Sequence, residues 1–326
     1  MFSSCELCAG QVDNNMSCRW CMEDSTCVPS KYMCPPSESV THKVNCPQKN
    51  LPTNFNEAFN RYELLYYIHA VNRVASTSPE GATQSCLVKI NSSLTVIREV
   101  QVDETIDGWN LGYLILVNND LKHIVVGFRS TNGVFQLYAQ YFAFLSGWME
   151  DFPLGGKMVG YYVAAYKTIL NSGLDSILYQ TTLSYPTYGI IVAGHSLGGA
   201  LATVFSLHIA MLFPNKNVDL YSWSAPRSGD ETFIELLNQH VRYHFRVVLD
   251  GDLVADMPPR VSEALPQAHH NAFEYYYPFG MEYGSYTICD QAESQFCSKG
   301  NWLKNPLSHI LIYGSNLLNS NLGYCD

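Results

Sequence analysis

Residues 190–200 read Ile-Ile-Val-Ala-Gly-His-Ser-Leu-Gly-Gly-Ala, and this stretch decides the fold class. A β-branched run leads into Gly194-His195-Ser196-Leu197-Gly198, and an apolar segment of helical length follows. A sharp turn between a strand and a helix projects a serine hydroxyl above a sheet, and glycines two residues before and after the serine leave room for the crowded backbone. We therefore predict that Ser196 is a nucleophile, against the alternative of a glycine-rich turn with an idle serine.

A base for this serine is expected late in the chain. A serine hydroxyl is a poor nucleophile at neutral pH unless a base accepts its proton, and around this kind of turn the acid and then the histidine follow the serine in sequence. His309 lies in a loop that leads into an apolar run near the C-terminus, whereas His269 and His270 stand before three tyrosines and fit a structural role better. We assign His309 as the base.

The acid is expected in the loop after the predicted strand 245–249. Asp250, Asp252 and Asp256 all lie in this loop. Spacing alone does not separate Asp250 from Asp252, and each could equally be a solvated or turn-capping carboxylate.

The remaining pattern alternates strands with helices, which predicts an α/β architecture with a mostly parallel sheet. The predicted strands cover about 111–117, 123–128, 188–193, 220–223 and 245–249, and the predicted helices cover about 54–75, 160–170 and 200–212.

Composition excludes several classes of protein. The chain has 326 residues, a formal net charge of −10 and 47% hydrophobic residues. This balance disfavours nucleic acid as a partner and excludes disorder of the whole chain. We find no apolar run of about 18 residues that would predict a transmembrane segment. No signal peptide is visible, because Met1-Phe2-Ser3-Ser4 runs straight into cysteine-rich sequence.

Cysteines divide the chain into two parts. Seven of the eleven precede residue 50, which predicts a disulfide-stapled module at 1–50 and a separate catalytic domain at 51–326. Zinc is the rival interpretation, because Cys5-x-x-Cys8 and Cys18-x-x-Cys21 have zinc-like spacing. Asn15 and Asn91 begin N-glycosylation patterns. Together these features predict a secreted or lumenal protein in an oxidising compartment.

Residues 54–326 resemble the class 3 (fungal-type) lipase family of α/β-hydrolases. The resemblance rests on four separated motifs: Gly194-His195-Ser196-Leu197-Gly198-Gly199-Ala200, Ala225-Pro226-Arg227-Ser228-Gly229-Asp230, Asp252-Leu253-Val254 with Pro258-Pro259, and His309. It implies the α/β-hydrolase fold. It also implies that Asp252 is the acid, because the family's aspartate begins an Asp-x-Val-x-x-x-Pro-Pro run.

The resemblance further implies an oxyanion hole and a lid. Thr131, after Phe128-Arg129-Ser130, takes the family's oxyanion position, although serine replaces the usual glycine at position 130. The amide of Leu197 supplies the second donor. The lid corresponds to residues 132–145, and a buried core helix is the alternative for this apolar segment. The apolar lid residues are Val134, Phe135, Leu137, Tyr138, Tyr141 and Phe142.

Cysteine pairing follows partly from resemblance. Cys289 and Cys297 match a family disulfide, and the N-terminal cysteines resemble, more loosely, the plexin/semaphorin/integrin cysteine-rich module. Because the number of cysteines is odd, we expect Cys86 or Cys325 to close on the leftover N-terminal cysteine and one thiol to remain free or shared with another chain.

These features predict a secreted serine lipase that hydrolyses triacylglycerol-type esters at a lipid–water interface through an acyl-enzyme, without metal or organic cofactor. The alternatives within the same chemistry are a phospholipase A1 and a soluble-ester esterase of the feruloyl type. A non-catalytic lipid-binding or adhesion protein is the alternative from another class. The oligomeric state does not follow from the sequence.

Overall fold

The structure is a computed structural model, and it describes residues 3–13, 16–29, 34, 39–48, 52, 54–73, 82–106, 109–130, 149–260 and 267–317. All structural statements below concern these residues. No helix within these ranges is both long enough and apolar enough to cross a membrane.

The N-terminal segment, residues 3–48, is built from short elements around disulfides. It contains the helix α1 (Cys5–Cys8), a small antiparallel sheet and a 3₁₀ turn at Lys43–Asn45. Its strands are β1 (Val12–Asp13), β2 (Met16–Cys21), β3 (Thr26–Pro29) and β4 (Ser39–Val40). Its small core contains Trp20 and Val40 beside buried cysteines, so crosslinks replace much of the apolar burial that a larger domain has.

An eight-stranded mixed sheet forms the centre of the rest of the chain. Its strands are β5 (Leu94–Ile106), β6 (Trp109–Asn118), β7 (His123–Phe128), β10 (Gly189–His195), β11 (Val218–Trp223), β12 (Tyr243–Leu249), β13 (Glu274–Tyr277) and β14 (Thr287–Cys289), in the spatial order β14-β13-β12-β11-β10-β7-β6-β5. The five strands from β7 to β13 are parallel, while β5, β6 and β14 pair antiparallel. The predicted mostly parallel α/β sheet is confirmed.

Two-stranded ribbons and helices surround this sheet. The ribbons are β8 (Met149–Asp151) with β9 (Lys157–Val159), and β15 (Leu311–Ile312) with β16 (Ser315–Asn316). The helices are α2 (Glu57–Phe59), continued by a π-helical turn at Asn60–Leu64, α3 (Leu65–Arg73), α4 (Ala82–Ile90), α5 (Gly160–Asn171), α6 (Leu174–Ser184), α7 (Leu197–Leu212), α8 (Glu231–His240) and α9 (Pro306–Ile310).

The sheet separates two hydrophobic cores, because successive strand residues point to opposite faces. On one face, Ile124 and Val126 pack with α5, α7 and α8, and every residue of α7 from Leu197 to Ala210 is buried. On the other face, Val125 and Ile191 pack with α3 and α4. The strand β10, which leads to Ser196, is therefore fixed from both sides.

Six of the seven N-terminal cysteines form disulfides, among them Cys5, Cys8 and Cys21, so the zinc interpretation is wrong. The pairs are Cys5–Cys46, Cys8–Cys27 and Cys21–Cys34, and the expected Cys289–Cys297 pair is also present. Cys86 is disulfide-bonded as well. The leftover N-terminal cysteine is Cys18, which is a free, buried thiol. The expectation that Cys86 or Cys325 closes on it is wrong, because Cys18 is unpaired: it lies on β2 in the small core beside Trp20 and the cysteines of two disulfides.

The two glycosylation candidates differ in what can be described. Asn15 lies outside the described residues. Asn91 is partly exposed at the end of α4, where its Oδ1 accepts hydrogen bonds from the Ser93 amide and hydroxyl, both at 2.8 Å. Its Nδ2 donates to Glu63 Oε2 at 3.2 Å. Attachment of a glycan to Nδ2 would therefore compete with this contact, and glycosylation of Asn91 stays a prediction.

Candidate active site

The turn between β10 and α7 has the geometry that the sequence predicts. Ser196 has φ 55° and ψ −125°, a backbone conformation that residues other than glycine rarely adopt. The close packing around this turn accounts for its glycines: a Cβ on Gly194 would overlap the Gly198 carbonyl, and a Cβ on Gly198 would overlap the Phe128 carbonyl. The turn is further held by the hydrogen bond from the Ser196 amide to the Trp223 carbonyl at 2.9 Å.

Ser196, His309 and Asp252 are brought into one hydrogen-bonded chain. His309 Nε2 lies 2.8 Å from Ser196 Oγ, and His309 Nδ1 lies 3.1 Å from Asp252 Oδ1 and 3.3 Å from Oδ2. All three side chains are buried. An ionised carboxylate only accepts hydrogen bonds, so Nδ1 carries the proton and Nε2 accepts from the serine hydroxyl. This tautomer is the one that a general base beside a serine requires.

The neighbouring aspartates occupy different places. Asp250 accepts from the Tyr276 hydroxyl at 2.5 Å and from Asn301 Nδ2 at 2.8 Å. Asp256 pairs with Lys304 Nζ at 2.5 Å. Among the three candidates from the loop after β12, only Asp252 is hydrogen-bonded to His309 in the described contacts.

Asp252 is held in its charged form despite its burial. Burial alone would raise the pKa of this carboxyl, but the positive charge that His309 carries when protonated, with the hydrogen bonds from His309 and the Val254 amide, brings the pKa below its usual value. The Val254 amide donates to Asp252 Oδ1 at 2.9 Å. The carboxylate is therefore ready to stabilise a positive charge on the imidazole ring.

A second histidine, His195, is hydrogen-bonded to the backbone of His309. His195, the residue before Ser196, donates from Nε2 to the His309 carbonyl at 2.8 Å, and the two ring centroids lie 4.9 Å apart. Burial, with the nearby charge of His309, lowers the pKa of His195 to about 3, so its ring is neutral at working pH. Sequence reasoning missed this contact, because the motif leaves the residue before the serine unspecified.

The oxyanion side of the site is only partly described. Leu197 begins α7, and amides in the first turn of a helix have no partner within that helix, so the Leu197 N–H is a candidate donor to a reacting carbonyl. The backbone of Phe128 and Arg129 passes directly beside Gly198. Thr131 and the predicted lid residues 132–145 lie outside the described residues.

The other candidate histidines occupy separate environments. His270 donates from Nε2 to the Ala255 carbonyl at 2.6 Å, and His269 packs edge-on against His42 with ring centroids 4.8 Å apart. Burial lowers the pKa of His269 to about 3 and that of His244 to about 4. These neutral, packed rings fit the structural role expected of His269 and His270.

Comparison with known proteins finds similarity to lipases. A family model described as Lipase (class 3) matches residues 125–262. The secreted mono- and diacylglycerol lipase 1 of Fusarium solani is 26% identical over 220 residues, which cover 63% of this chain and 60% of that protein. A lipase of Caenorhabditis elegans is 29% identical over 204 residues, 55% of each protein. The chain thus spans less than two thirds of the length of either relative.

Solved structures show the same fold. The crystal structure of a lipase from Rhizopus microsporus var. chinensis superposes with a TM-score of 0.67 at 19% identity, over 89% of this chain and 95% of that one. This likeness confirms the predicted α/β-hydrolase fold. The family match and the relatives are similarities to lipases, and they make a carboxylic ester hydrolase the function to propose for this site.

Proposed function

We propose that this chain is a class 3 lipase, a serine hydrolase that cleaves carboxylic esters of lipids. The observation that carries the proposal is the hydrogen-bonded chain from Ser196 Oγ through His309 to Asp252, with distances of 2.8 Å and 3.1 Å. Its three members come from the turn after β10, the loop after β12 and the short helix α9. A buried polar network in which every member is hydrogen-bonded fixes the relative positions of its side chains.

The proposed reaction begins with attack of Ser196 Oγ on the ester carbonyl carbon, while the hydroxyl proton passes to His309 Nε2. Asp252 stabilises the imidazolium that forms. When the bond from carbon to the leaving oxygen breaks, His309 returns the proton to that oxygen and the alcohol departs. Water then attacks the acyl-enzyme and gives its proton to His309, which releases the carboxylic acid and restores Ser196.

The negative charge on the tetrahedral intermediate needs donors beside the serine. We assign the Leu197 amide at the start of α7 to this role, because the helix terminus adds a partial positive charge there. Thr131 is the proposed second donor. Its position two residues after Arg129, which passes beside Gly198, supports this assignment.

Triacylglycerol-type esters are the substrates that we favour over phospholipids and soluble esters. The predicted lid, residues 132–145, contains no charged side chain and would present a neutral apolar face. Burial of such a face is favourable at a lipid surface. The Fusarium relative, a mono- and diacylglycerol lipase by name, acts on uncharged glycerides of the same chemical class.

The proposed division of the chain is a disulfide-stapled module at 1–50 and the hydrolase domain at 51–326. Three disulfides within residues 5–46 support a secreted or lumenal location, because such crosslinks persist in oxidising compartments. The likeness of the module to plexin-type modules stays a prediction, and we assign the module no chemistry.

A matched pair of aspartate variants tests the proposed triad. Asp252→Asn keeps the shape of the side chain but removes the charge beside His309 Nδ1, so we expect kcat on a soluble short-chain ester to fall about 10⁴-fold. Asp250→Asn lies two residues away and contacts Tyr276 and Asn301 instead, so its kcat should stay within about tenfold of the parent. Equal losses in the two variants, with both folded by circular dichroism, would contradict the assignment.

A further inference from the structure

Large apolar side chains are exposed just before His309, on the loop that leads into α9 and at the start of that helix. Trp302 is 83% exposed, Leu303 is 62% exposed and Leu307 is 57% exposed. We call these three side chains the 302–307 surface. Single exposed apolar residues are common, but several within one short loop beside a reactive site mark a binding surface.

The backbone of this loop is firmly anchored, so the exposure is built into the fold. Asn301 Nδ2 donates to both oxygens of Asp250 at 2.8 Å, and the Asn305 amide donates to the Gly251 carbonyl at 2.7 Å. The loop is thus tied to the residues immediately before Asp252. These bonds hold the backbone in the position from which Trp302 and Leu303 are exposed.

The 302–307 surface lies at the edge of the sheet that carries Ser196. Parallel strands end at a common edge: β10 ends at His195, β12 at Leu249 and β13 at Tyr277. The Asp250 amide donates to the Tyr277 carbonyl at 3.0 Å, so the anchors of the loop lie at this edge. Phe279, two residues beyond β13, is 96% exposed at the same edge.

The charges on and around the loop indicate which kind of surface it can contact. The only ionisable side chain between Trp302 and Leu307 is Lys304, whose Nζ is held by Asp256 Oδ2 at 2.5 Å and by the Ser298 carbonyl at 3.1 Å. The loop therefore presents no free charge to a partner. The formal net charge of −10 for the whole chain opposes approach to an anionic surface.

We propose that the 302–307 surface docks onto a neutral lipid surface and holds the Ser196 edge of the sheet against it. This contact is separate from the predicted lid, and it rests on the proposed lipase function. Trp302 and Leu303 enter the lipid, while the anchored backbone keeps His309 in place. Tryptophan suits this position, because its ring is apolar and its N–H still finds a partner at the interface.

Binding to phosphatidylcholine vesicles tests the proposal without hydrolysis. In the full chain carrying Ser196→Ala, we expect Trp302→Ser with Leu303→Ser to weaken the vesicle partition coefficient at least about tenfold, since burial of one large apolar side chain accounts for that factor or more. The matched control is Tyr179→Ser with Leu183→Ser. These α6 side chains are 55% and 60% exposed, and α6 runs to the opposite edge, where β10 begins.

A second readout uses the chain with Ser196 present. The Trp302→Ser, Leu303→Ser chain should hydrolyse emulsified triglyceride at least about tenfold more slowly than its parent, in proportion to the weaker partition, and a dissolved short-chain ester at a rate within about twofold. A vesicle partition coefficient equal to that of the parent, or an equal loss in the α6 control, would overturn the docking surface. So would a parent dimer that the double variant converts to monomer with vesicle binding unchanged, because the surface would then bind a second copy.

These experiments distinguish failure of the docking surface from failure of the lipase function. If the parent hydrolyses the dissolved ester but the double variant binds vesicles as the parent does, the docking surface is wrong and the lipase function stands. If the parent hydrolyses no ester but its vesicle binding depends on Trp302 and Leu303, the lipase function is wrong and the docking surface stands.

Discussion

His195 shows how one side chain outside the triad bears on the chemistry. Its Nε2–H donates to the carbonyl of His309, so it fixes the backbone from which the base projects. The ring is buried and neutral, and it lies beside the ring of His309. We therefore treat His195 as a positioning residue that acts through His309.

The effect of this hydrogen bond can be separated from packing. His195→Leu keeps an apolar side chain but removes the donor, and we expect kcat on a soluble ester to fall about tenfold while KM changes less than about twofold, because one lost hydrogen bond misplaces the base. His195→Gln keeps an N–H donor at a similar reach and should restore most of kcat. Equal kcat values for the two variants would contradict the positioning role.

The residues of the site differ in how far the local sequence alone identifies them. Ser196 follows from its own motif, because glycine spacing and the strand-to-helix turn are local properties. Asp250 and Asp252 share one loop, so their assignment needed the family resemblance, and in the structure it depends on which carboxylate meets a histidine 57 residues away. The contact between His195 and the His309 carbonyl joins residues 114 positions apart, and no local sequence pattern predicts such a pairing.

At the scale of elements, a disulfide loop braces the loop that carries the acid. Cys289 and Cys297 close a short loop, and Glu293 within it binds Arg227 Nε and Nη2 at 2.7 Å and 2.6 Å. Arg227 also donates to the carbonyls of Asp256 and Pro258. Burial alone would raise the pKa of Glu293, but the Arg227 charge holds that pKa well below its usual value. Arg227 is fully buried and the Glu293 side chain is 6% exposed, so the ion pair links three loops largely out of contact with water.

Removal of one partner of this pair should cost much more than removal of both. Arg227→Met leaves Glu293 charged and buried, so we expect the free energy of unfolding in urea to fall by about 3–5 kcal/mol. Adding Glu293→Leu removes the stranded charge and should recover a large part of that loss. A change below about 1 kcal/mol in the single variant would show that the loops are held without this pair.

The elements themselves were partly predictable. The hairpin of β6 and β7, the strand β10 and the helices α5 and α7 lie within a few residues of their predicted bounds, because their apolar periods are long and uniform. The predicted helix 54–75 is instead a short helix, a π-helical turn and α3, since buried polar residues such as Asn60 and Arg61 interrupt its apolar face. The strand β5 was missed, because its charged residues obscure the alternation in Leu94–Ile106.

At the scale of the whole molecule, the N-terminal segment is packed onto the rest of the chain. Val44 belongs to the same core as α7, His42 Nδ1 lies 3.3 Å from Glu231 Oε2, and the Gln48 amide donates to the Asp290 carbonyl at 3.0 Å. The segment thereby contacts both α8 and the Cys289–Cys297 loop. Cysteine spacing predicted crosslinks in this segment but not its docking, because short loops without periodicity carry no signal about their neighbours.

The central claim concerns the reactivity of Ser196, and covalent labelling of the intact chain by an organophosphonate in detergent tests it most directly. Mass spectrometry should find one phosphonyl adduct, located on Ser196 and absent in Ser196→Ala, because only a hydroxyl activated by His309 is a good nucleophile at neutral pH. His309→Ala should label much more slowly while remaining folded. A parent chain that does not label, or an adduct that persists after Ser196→Ala, would contradict the account.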